Sequence, residues 1–209
     1  KERELGPDQR VYTAVMAACK DRDRWQVAVQ LLEEMEREKV LPDVFAYNAV
    51  MSACQVGRQH AVAERVREEM DRWGVAKDKV TCSTLISACG WEKKWEQALD
   101  YFQYMKENKL WPDLITYTGL INSCAKAGRW EWCMAVLEET RTNSIGQNIR
   151  TFNAVLSALA GAGEWQFALQ ALEDCRGLGM RPTLITYNSV ITACGNGGQW
   201  ELAHRFLGE

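Results

Sequence analysis

Cysteine and histidine are the residues with which this 209-residue chain could bind a metal ion or form disulfides. The sequence contains eight cysteines and two histidines, His60 and His204. It has no CxxC pair, and neither histidine has a partner at the spacing of a metal site. The pattern therefore predicts structural thiols in a reducing compartment, and neither a metal site nor a disulfide framework.

The cysteines reveal instead that the chain is repetitive. Five of them follow a strict 35-residue period: Cys19, Cys54, Cys89, Cys124 and Cys194. Leu159 fills that position in the fifth copy, as a site for a small buried hydrophobic residue permits. Tyrosine, tryptophan or their substitutes recur with the same period at Tyr12, Tyr47, Cys82, Tyr117, Phe152 and Tyr187, then at Trp25, His60, Trp95, Trp130, Trp165 and Trp200. A period of this length indicates a solenoid, in which each module buries its apolar face against its neighbours.

Two helices in each module are predicted to position these residues. In the fourth copy, Tyr117, Leu120, Ile121 and Cys124 lie at i, i+3, i+4 and i+7, which predicts a first helix, here named helix A. A second helix, helix B, is predicted to begin at the tryptophan, after a turn that contains glycine in three copies. No segment alternates with a period of two. The predicted fold class is therefore all-α, an α-solenoid of helix-turn-helix repeats.

The tryptophan series allows a second interpretation, because aromatic side chains can stack on nucleic-acid bases. Its place at the start of helix B, in phase with the alanine and leucine residues of that helix, favours packing between the two helices. Four tryptophans fall outside the series and are expected to be partly exposed: Trp73, Trp91, Trp111 and Trp132.

Catalysis and membrane insertion have little support in the sequence. We find no carboxylate cluster, metal motif or nucleophile arrangement, so the chain is not expected to be an enzyme or to need a cofactor. No apolar run approaches the roughly 18 residues that a membrane span requires.

Two segments carry a family resemblance: WPDLITYTGLINSCAKAGRW and RPTLITYNSVITACGNGGQWELA. Both segments resemble the consensus of the pentatricopeptide repeat, whose characteristic opening is Pro-Asp before an aliphatic pair and then Thr-Tyr-Asn: the first segment has the Pro-Asp and the second the Thr-Tyr-Asn. The uniform spacing is similar to the plain type of that repeat. The resemblance implies a right-handed superhelix. It divides the chain into a tail of a preceding repeat (1–8), repeats at 9–43, 44–78, 79–113, 114–148 and 149–183, and a partial repeat at 184–209. Because the chain starts and stops inside repeats, it is expected to belong to a longer polypeptide.

The resemblance implies sequence-specific binding of single-stranded RNA, with one base read by each module. It also implies an organellar protein, of the chloroplast or mitochondrion, that acts in RNA processing, stability or translation. Carried over from the family, the base-reading residues are the fifth of each module, Thr13, Asn48, Ser83, Thr118, Asn153 and Asn188, and the last of each module, Asp43, Asp78, Asp113, Asn148 and Thr183. The second position, which sandwiches bases in the family, holds Arg10, Phe45, Val80, Ile115, Arg150 and Ile185.

The last positions also have a simpler interpretation. Asp, Asn and Thr directly before a helix are preferred N-caps, so capping alone could explain all five of them. Capping does not require a polar residue at the fifth position, which lies inside helix A among apolar or small neighbours. Because all six copies are polar there, the sequence favours base reading.

Hydrogen-bond chemistry then limits the bases that each pair could accept. An Asp carboxylate only accepts, which suits guanine and uracil, whereas Asn can also donate, which suits adenine and cytosine. In the family, Thr or Ser at the fifth position goes with purines and Asn with pyrimidines, and the protein runs parallel to its RNA. The pairs then predict 5′-GUGAYY-3′, in which the last two pyrimidines fall to Asn153/Thr183 and Asn188.

The charge of the chain is unfavourable for a nucleic-acid ligand. The net charge is −3 and the isoelectric point about 5.6, although phosphate contacts usually supply much of the affinity. The first thirteen residues of the modules together carry +4, from Arg10, Lys20, Lys79, Lys126 and Arg150 against Asp21. The acidic remainder and the extra tryptophans leave open an alternative function: a structural subunit of a large assembly, such as an organellar ribosome, that contacts protein or rRNA.

Overall fold

The structure is a computed structural model that describes residues 8–19 and 24–207. Lys20 and Asp21, most of the predicted tail at 1–8 and the last two residues of the sixth repeat lie outside the described residues. The described chain forms twelve α-helices and no strand, which confirms the all-α solenoid. The helices are α1 Gln9–Ala18, α2 Trp25–Arg37, α3 Val44–Val56, α4 His60–Arg72, α5 Lys79–Glu92, α6 Trp95–Glu107, α7 Leu114–Lys126, α8 Trp130–Thr142, α9 Ile149–Ala162, α10 Trp165–Gly177, α11 Leu184–Asn196 and α12 Trp200–Phe206.

The odd-numbered helices are the A helices and the even-numbered helices are the B helices. Each B helix begins at the residue of the tryptophan series, and the turns before α4, α6, α8, α10 and α12 each contain a residue with positive φ. Glycine takes this conformation in the last three modules, with a φ of 72° at Gly128. Arg58 and Lys93 adopt it in the second and third modules, with φ values of 57° and 58°. The turn therefore accepts a residue with a side chain.

The contacts between helices determine which face is concave. Each A helix packs against the A helices before and after it, and each B helix packs against its own A helix and the next one. Among the described residues, the backbones of B helices do not approach one another within 8 Å, and neighbouring B helices meet through long side chains such as Lys106 and Glu139. The row of A helices is therefore the inner, tighter row, and the B helices fan out on the outside.

Aromatic residues of the A helices fill the interior. The side chains of Tyr47, Tyr117 and Phe152 are almost completely buried. Phe102 of α6 meets Tyr117 edge to face, with ring centroids 5.1 Å apart. Burial of a large apolar side chain contributes about 1.5–3 kcal/mol, so each of these three side chains stabilises the packing of its module.

Small residues let adjacent A helices approach closely. A Cβ atom on Gly119 would lie 3.2 Å from Ser87 Oγ, and one on Gly90 would lie 2.9 Å from Ser123 Oγ. Ser123 Oγ donates to Ile86 O across the same interface at 3.0 Å. Glycine and serine at these positions therefore determine how closely neighbouring modules can approach.

The cysteines and all but one of the tryptophans lie where the sequence predicts; Trp200, which the series predicts to pack between helices, is 71% exposed because no A helix follows α12 in the described chain. Trp95, Trp130 and Trp165 are half-buried and pack against the core, whereas the four tryptophans outside the series are exposed, Trp111 at 80%. All eight cysteines are buried and free. Burial raises the pKa of Cys54, Cys82 and Cys124 to about 11.

The raised thiol pKa values predict slow alkylation and disulfide exchange in the native protein. Each such thiol has about 100-fold less thiolate at pH 8 than a group with a pKa of 9, and burial also blocks access. We expect a thiol-reactive dye to label the native chain at least that much more slowly than the chain in guanidinium. Equal labelling rates in the two states would contradict the buried placement.

Candidate nucleic-acid interface

The last residue of each module forms the N-cap of the next A helix. The side chain accepts a hydrogen bond from the backbone N–H of the third residue of that helix, at 2.9 Å for Asp43, 2.8 Å for Asp78, 3.0 Å for Asp113, 3.0 Å for Asn148 and 3.4 Å for Thr183. Capping is thus a property of all five. In Asp and Asn, capping uses one polar atom of the side chain and does not use the second.

In the second and fifth modules the fifth residue contacts the last residue directly. Asn48 Nδ2 donates to both carboxylate oxygens of Asp78 at 3.0 Å. Asn153 Nδ2 lies 3.4 Å from Thr183 Oγ1. Each pair bridges two neighbouring A helices, so both readers of a predicted base lie at one seam between modules.

In the third and fourth modules a buried threonine joins the two side chains. Thr116 Oγ1 lies 2.7 Å from Ser83 Oγ and donates to Asp113 Oδ1 at 3.0 Å. Thr151 Oγ1 lies 3.1 Å from Thr118 Oγ1 and donates to Asn148 Oδ1 at 3.1 Å. Four predicted pairs are therefore brought together, two by direct contact and two through a hydroxyl.

The remaining predicted readers are not joined in this way. Thr13 Oγ1 donates to Gln9 O inside its own helix at 2.9 Å, and Asp43 caps Ala46 without a hydrogen bond to Thr13 in the described structure. Asn188 is exposed, and the last residue of its module lies beyond the 209 residues of the sequence.

The predicted sandwiching residues stand out from the A helices. All six are exposed: Arg10, Phe45, Val80, Ile115, Arg150 and Ile185. Val80 and Ile115 line a cavity of about 240 Å³ together with Ser83 and Asp113. Aliphatic side chains from two successive modules and the polar pair of the third module line this cavity. A binding site for a flat polar ring requires both kinds of side chain.

Lys79 adds a charge to the third pair. Its Nζ lies 2.9 Å from Asp113 Oδ2, the oxygen that the cap does not use. Burial alone would raise the pKa of Asp113, but Lys79 and two hydrogen bonds from Thr116 hold that pKa below its ordinary value. Asp113 is therefore ionised at neutral pH.

Of the other cations that the first thirteen residues of the modules contribute, the described ones lie apart from this pair. Lys126 Nζ sits 3.7 Å from the centroid of the Trp91 ring, and Arg58 lies 4.7 Å from the same centroid. Arg10 and Arg150 are exposed at the second position of their modules.

Sequence reasoning missed the third residue of the module and the role of Lys79. Threonine recurs at this buried position in four modules, at Thr81, Thr116, Thr151 and Thr186. The signal was available, since these polar residues interrupt an otherwise apolar stripe with the 35-residue period.

The described residues contain neither a metal-ion cluster nor a membrane span. No group of three or more His, Cys, Asp or Glu residues within 8–19 and 24–207 could hold a metal ion. None of the helices in the described part of the chain is long and apolar enough to cross a membrane.

Family models match nearly the whole chain. One described as the PPR repeat family matches residues 7–56, 42–90 and 77–126, one described as the pentatricopeptide repeat domain matches 135–197, and one described as the PPR repeat matches 115–145. No curated protein sequence matches the chain at a significant level.

Solved structures show the same fold. The pentatricopeptide repeat protein PPR10 from maize is 28% identical with a TM-score of 0.67, and the match covers 98% of this chain and 29% of that one. PPR10 in complex with an 18-nucleotide psaJ RNA element matches with 28% identity and a TM-score of 0.65 over 99% of this chain and 29% of that one. The PPR domain of Arabidopsis thaliana protein-only RNase P 1, in complex with tRNA, is 15% identical with a TM-score of 0.66, over 75% of this chain and 83% of that one, which is a likeness of fold alone.

The ion pair of Lys79 and Asp113 predicts a pH-dependent effect of Lys79→Met. Loss of the ammonium should raise the pKa of Asp113, as carboxyl NMR titration would show. A carboxyl group with a lowered folded-state pKa stabilises the fold above its unfolded pKa, and this stabilisation disappears as the pH falls through the folded pKa. The variant should therefore be less stable than the parent at pH 7, by no more than about 1 kcal/mol because the pair is part-exposed, and equally stable in acid.

Lys109→Met is the matched control, because Lys109 is exposed and makes no ion pair with Asp113. An unchanged Asp113 pKa in Lys79→Met, or an equal shift in the control, would show that the 2.9 Å contact has no electrostatic effect.

Proposed function

Since the chain belongs to the pentatricopeptide repeat family, we propose that it binds single-stranded RNA and reads one base with each module. PPR10, which is similar over almost the full length of this chain, is known in complex with an RNA element. The proposed readers are the fifth and last residues of the modules, and the proposed sandwiching residues are those at the second position.

The observation that best supports base reading is the double use of the last residue. Asn148 Oδ1 accepts two hydrogen bonds from Thr151, from its N–H and its hydroxyl group. Asn148 Nδ2 has no protein partner among the described residues and remains available to a ligand. Capping and base reading therefore use different atoms of one side chain, and the two interpretations of these residues do not exclude each other.

The proposed target follows from the donors and acceptors of each pair. Asp78 and Asp113 offer acceptors, which fit the ring N–H of uracil or guanine, whereas Asn148 offers a donor, which fits the bare ring nitrogen of adenine. With the family preference of Ser and Thr for purines and Asn for pyrimidines, the proposed sequence is 5′-GUGAYY-3′.

The biological role that we propose is organellar RNA processing, stability or translation, in the chloroplast or mitochondrion. The chain spans 29% of the maize protein that it matches. The activity and partners that we assign to this protein as a whole are therefore part of the proposal.

A structural role in a large assembly is the second candidate. Trp111 is 80% exposed and lines a cavity of about 470 Å³ with Lys109, Tyr117 and Asn143. An exposed tryptophan beside a cavity is typical of a protein contact. Purification would discriminate: the second candidate predicts a protein partner and no bound RNA, and the first predicts a retained short RNA.

Base reading predicts preference for a single strand over a duplex. The proposed pairs can reach a base only when its Watson–Crick edge is free. A fluorescent GUGAYY strand should therefore bind more tightly than the same strand annealed to its complement. The affinity should fall with salt, but less steeply than for a basic protein, because few cations lie on the A helices. Equal affinity for both RNAs would contradict base reading.

The fourth module offers the sharpest test of the code. Asn148→Asp replaces the proposed donor by an acceptor and should shift the fourth base from adenine to guanine, by roughly 1–3 kcal/mol in relative affinity. The melting temperature should barely change, because Asp caps a helix as well as Asn. Binding of GUGAYY and GUGGYY would be compared for parent and variant by fluorescence anisotropy.

Asn143→Asp serves as the control, since it makes the same change outside the A-helix row. It should leave the ratio of the two affinities as in the parent. If Asn148→Asp also leaves that ratio unchanged, Asn148 acts only as a cap.

A further inference from the structure

The third residue of a module contacts both readers of the module before it. Thr81, Thr116, Thr151 and Thr186 are completely buried. Their hydroxyl groups lie 2.6, 2.7, 3.1 and 2.7 Å from the side chains of Asn48, Ser83, Thr118 and Asn153. The same hydroxyl groups lie 2.9, 3.0, 3.1 and 3.1 Å from the side chains of Asp78, Asp113, Asn148 and Thr183.

Packing does not demand a hydroxyl group at this position. Val11 and Ala46 occupy it in the first two modules, and Ala46 is as deeply buried as the threonines. A buried hydroxyl without a partner costs about 1–3 kcal/mol, so threonine is tolerated here because the readers satisfy it. We propose that this threonine is a positioning residue, which commits one hydrogen-bonding group of each reader to the protein and so decides which group faces the RNA. The inference rests on the proposed function.

In the third module the carboxylate sets the direction of the hydrogen bonds. Asp113 can only accept, so Thr116 gives its single hydrogen to Asp113. Ser83 must then give its own hydrogen to Thr116, across 2.7 Å. Ser83 is left with lone pairs alone, and the pair offers only acceptors, of which Asp113 Oδ2 also contacts Lys79 Nζ at 2.9 Å. The pairing edge of guanine, with its N1–H and N2–H groups, matches that set, whereas adenine places a bare nitrogen there.

In the second module the same logic orients an amide. The Asp78 carboxylate can only accept, so it faces Asn48 Nδ2. Asn48 Oδ1 then faces Thr81 Oγ1 at 2.6 Å, and the single threonine hydrogen lies in this shorter contact rather than in the 2.9 Å contact with Asp78 Oδ1, an oxygen that the backbone N–H of Thr81 already binds. Both carboxylate oxygens lie 3.0 Å from Asn48 Nδ2, so one N–H can point between them, and Asn48 keeps its second N–H beside the acceptors of Asp78. A donor next to an acceptor matches uracil, whose ring N–H is flanked by carbonyl oxygens.

The first module is a natural exception. Ala46 gives no hydroxyl group to its readers, and Thr13 donates within its own helix instead. Among the described residues, Asp43 has only its cap on Ala46 N. The first base should consequently be read less strictly than the second, third and fourth.

A matched pair of substitutions tests this role in the third module. Thr116→Val keeps the shape and removes the hydroxyl group, whereas Thr116→Ser keeps the hydroxyl group. Relative affinities of the 209-residue chain would be measured for GUGAYY, for GUAAYY and for GCGAYY. We expect Thr116→Val to reduce discrimination at the third base about two- to tenfold, the effect of one hydrogen bond, with discrimination at the second base unchanged. Thr116→Ser should behave as the parent.

The converse substitution adds the missing group. Ala46→Thr should increase discrimination between guanine and adenine at the first base by a similar factor of about two to ten, with the later bases unaffected. A merely structural role of the threonine would change the affinity for all RNAs equally, or the melting temperature alone.

A readout without RNA completes the test. The Thr116 hydroxyl is one of the groups that hold the pKa of Asp113 low, so this pKa should rise in Thr116→Val and stay low in Thr116→Ser. An unchanged pKa in Thr116→Val, or a third-base preference equal to that of the parent, would overturn the positioning role alone. A parent with no preference for any base would overturn the proposed function itself, together with this inference.

Discussion

The hydrogen bond between the last residue of a module and the first turn of the next helix is the interaction on which this solenoid depends. It satisfies a backbone N–H that a helix start leaves without a partner. It also holds the capping side chain at the seam between two A helices, where the fifth residue of the preceding module reaches it. At Asp78, one carboxylate caps α5 and accepts the Asn48 amide, so one short side chain starts a helix, links two modules and forms half of a polar pair.

Regular packing between modules spaces these pairs along the chain. Each A helix contacts the next, and small residues such as Gly119 allow the close approach. Because every module has the same length, each seam presents the same two positions with different side chains. The pairs differ in their polar atoms, while Tyr47, Tyr117 and Phe152 place a buried aromatic ring at the same interior position in three modules. The geometry of the seam is thus the same in successive modules, whereas the donors and acceptors of the polar pair differ.

Much of the fold follows from the sequence because period and helical pattern fix both helices of a module. The N-caps and the half-buried tryptophans could also be predicted, since each depends on local backbone chemistry or on the phase of one helix. The hydroxyl groups of Thr116 and Thr151 could not be assigned in this way. Their partners lie 33 residues away in sequence, so the contact exists only once two modules have packed. Lys79 was counted as a charge, but its ion pair with Asp113 likewise crosses a seam.

Selection from a pool of random single-stranded RNA tests the central claim most directly, because it assumes no target. The chain would be incubated with the pool and the retained RNA sequenced. The account predicts enrichment of GUGAYY, with the strongest preferences at the second, third and fourth bases and a weaker one at the first, where Ala46 replaces threonine. Retained RNA without a shared motif, or no retained RNA, would contradict the claim that the polar pairs of the A helices read bases.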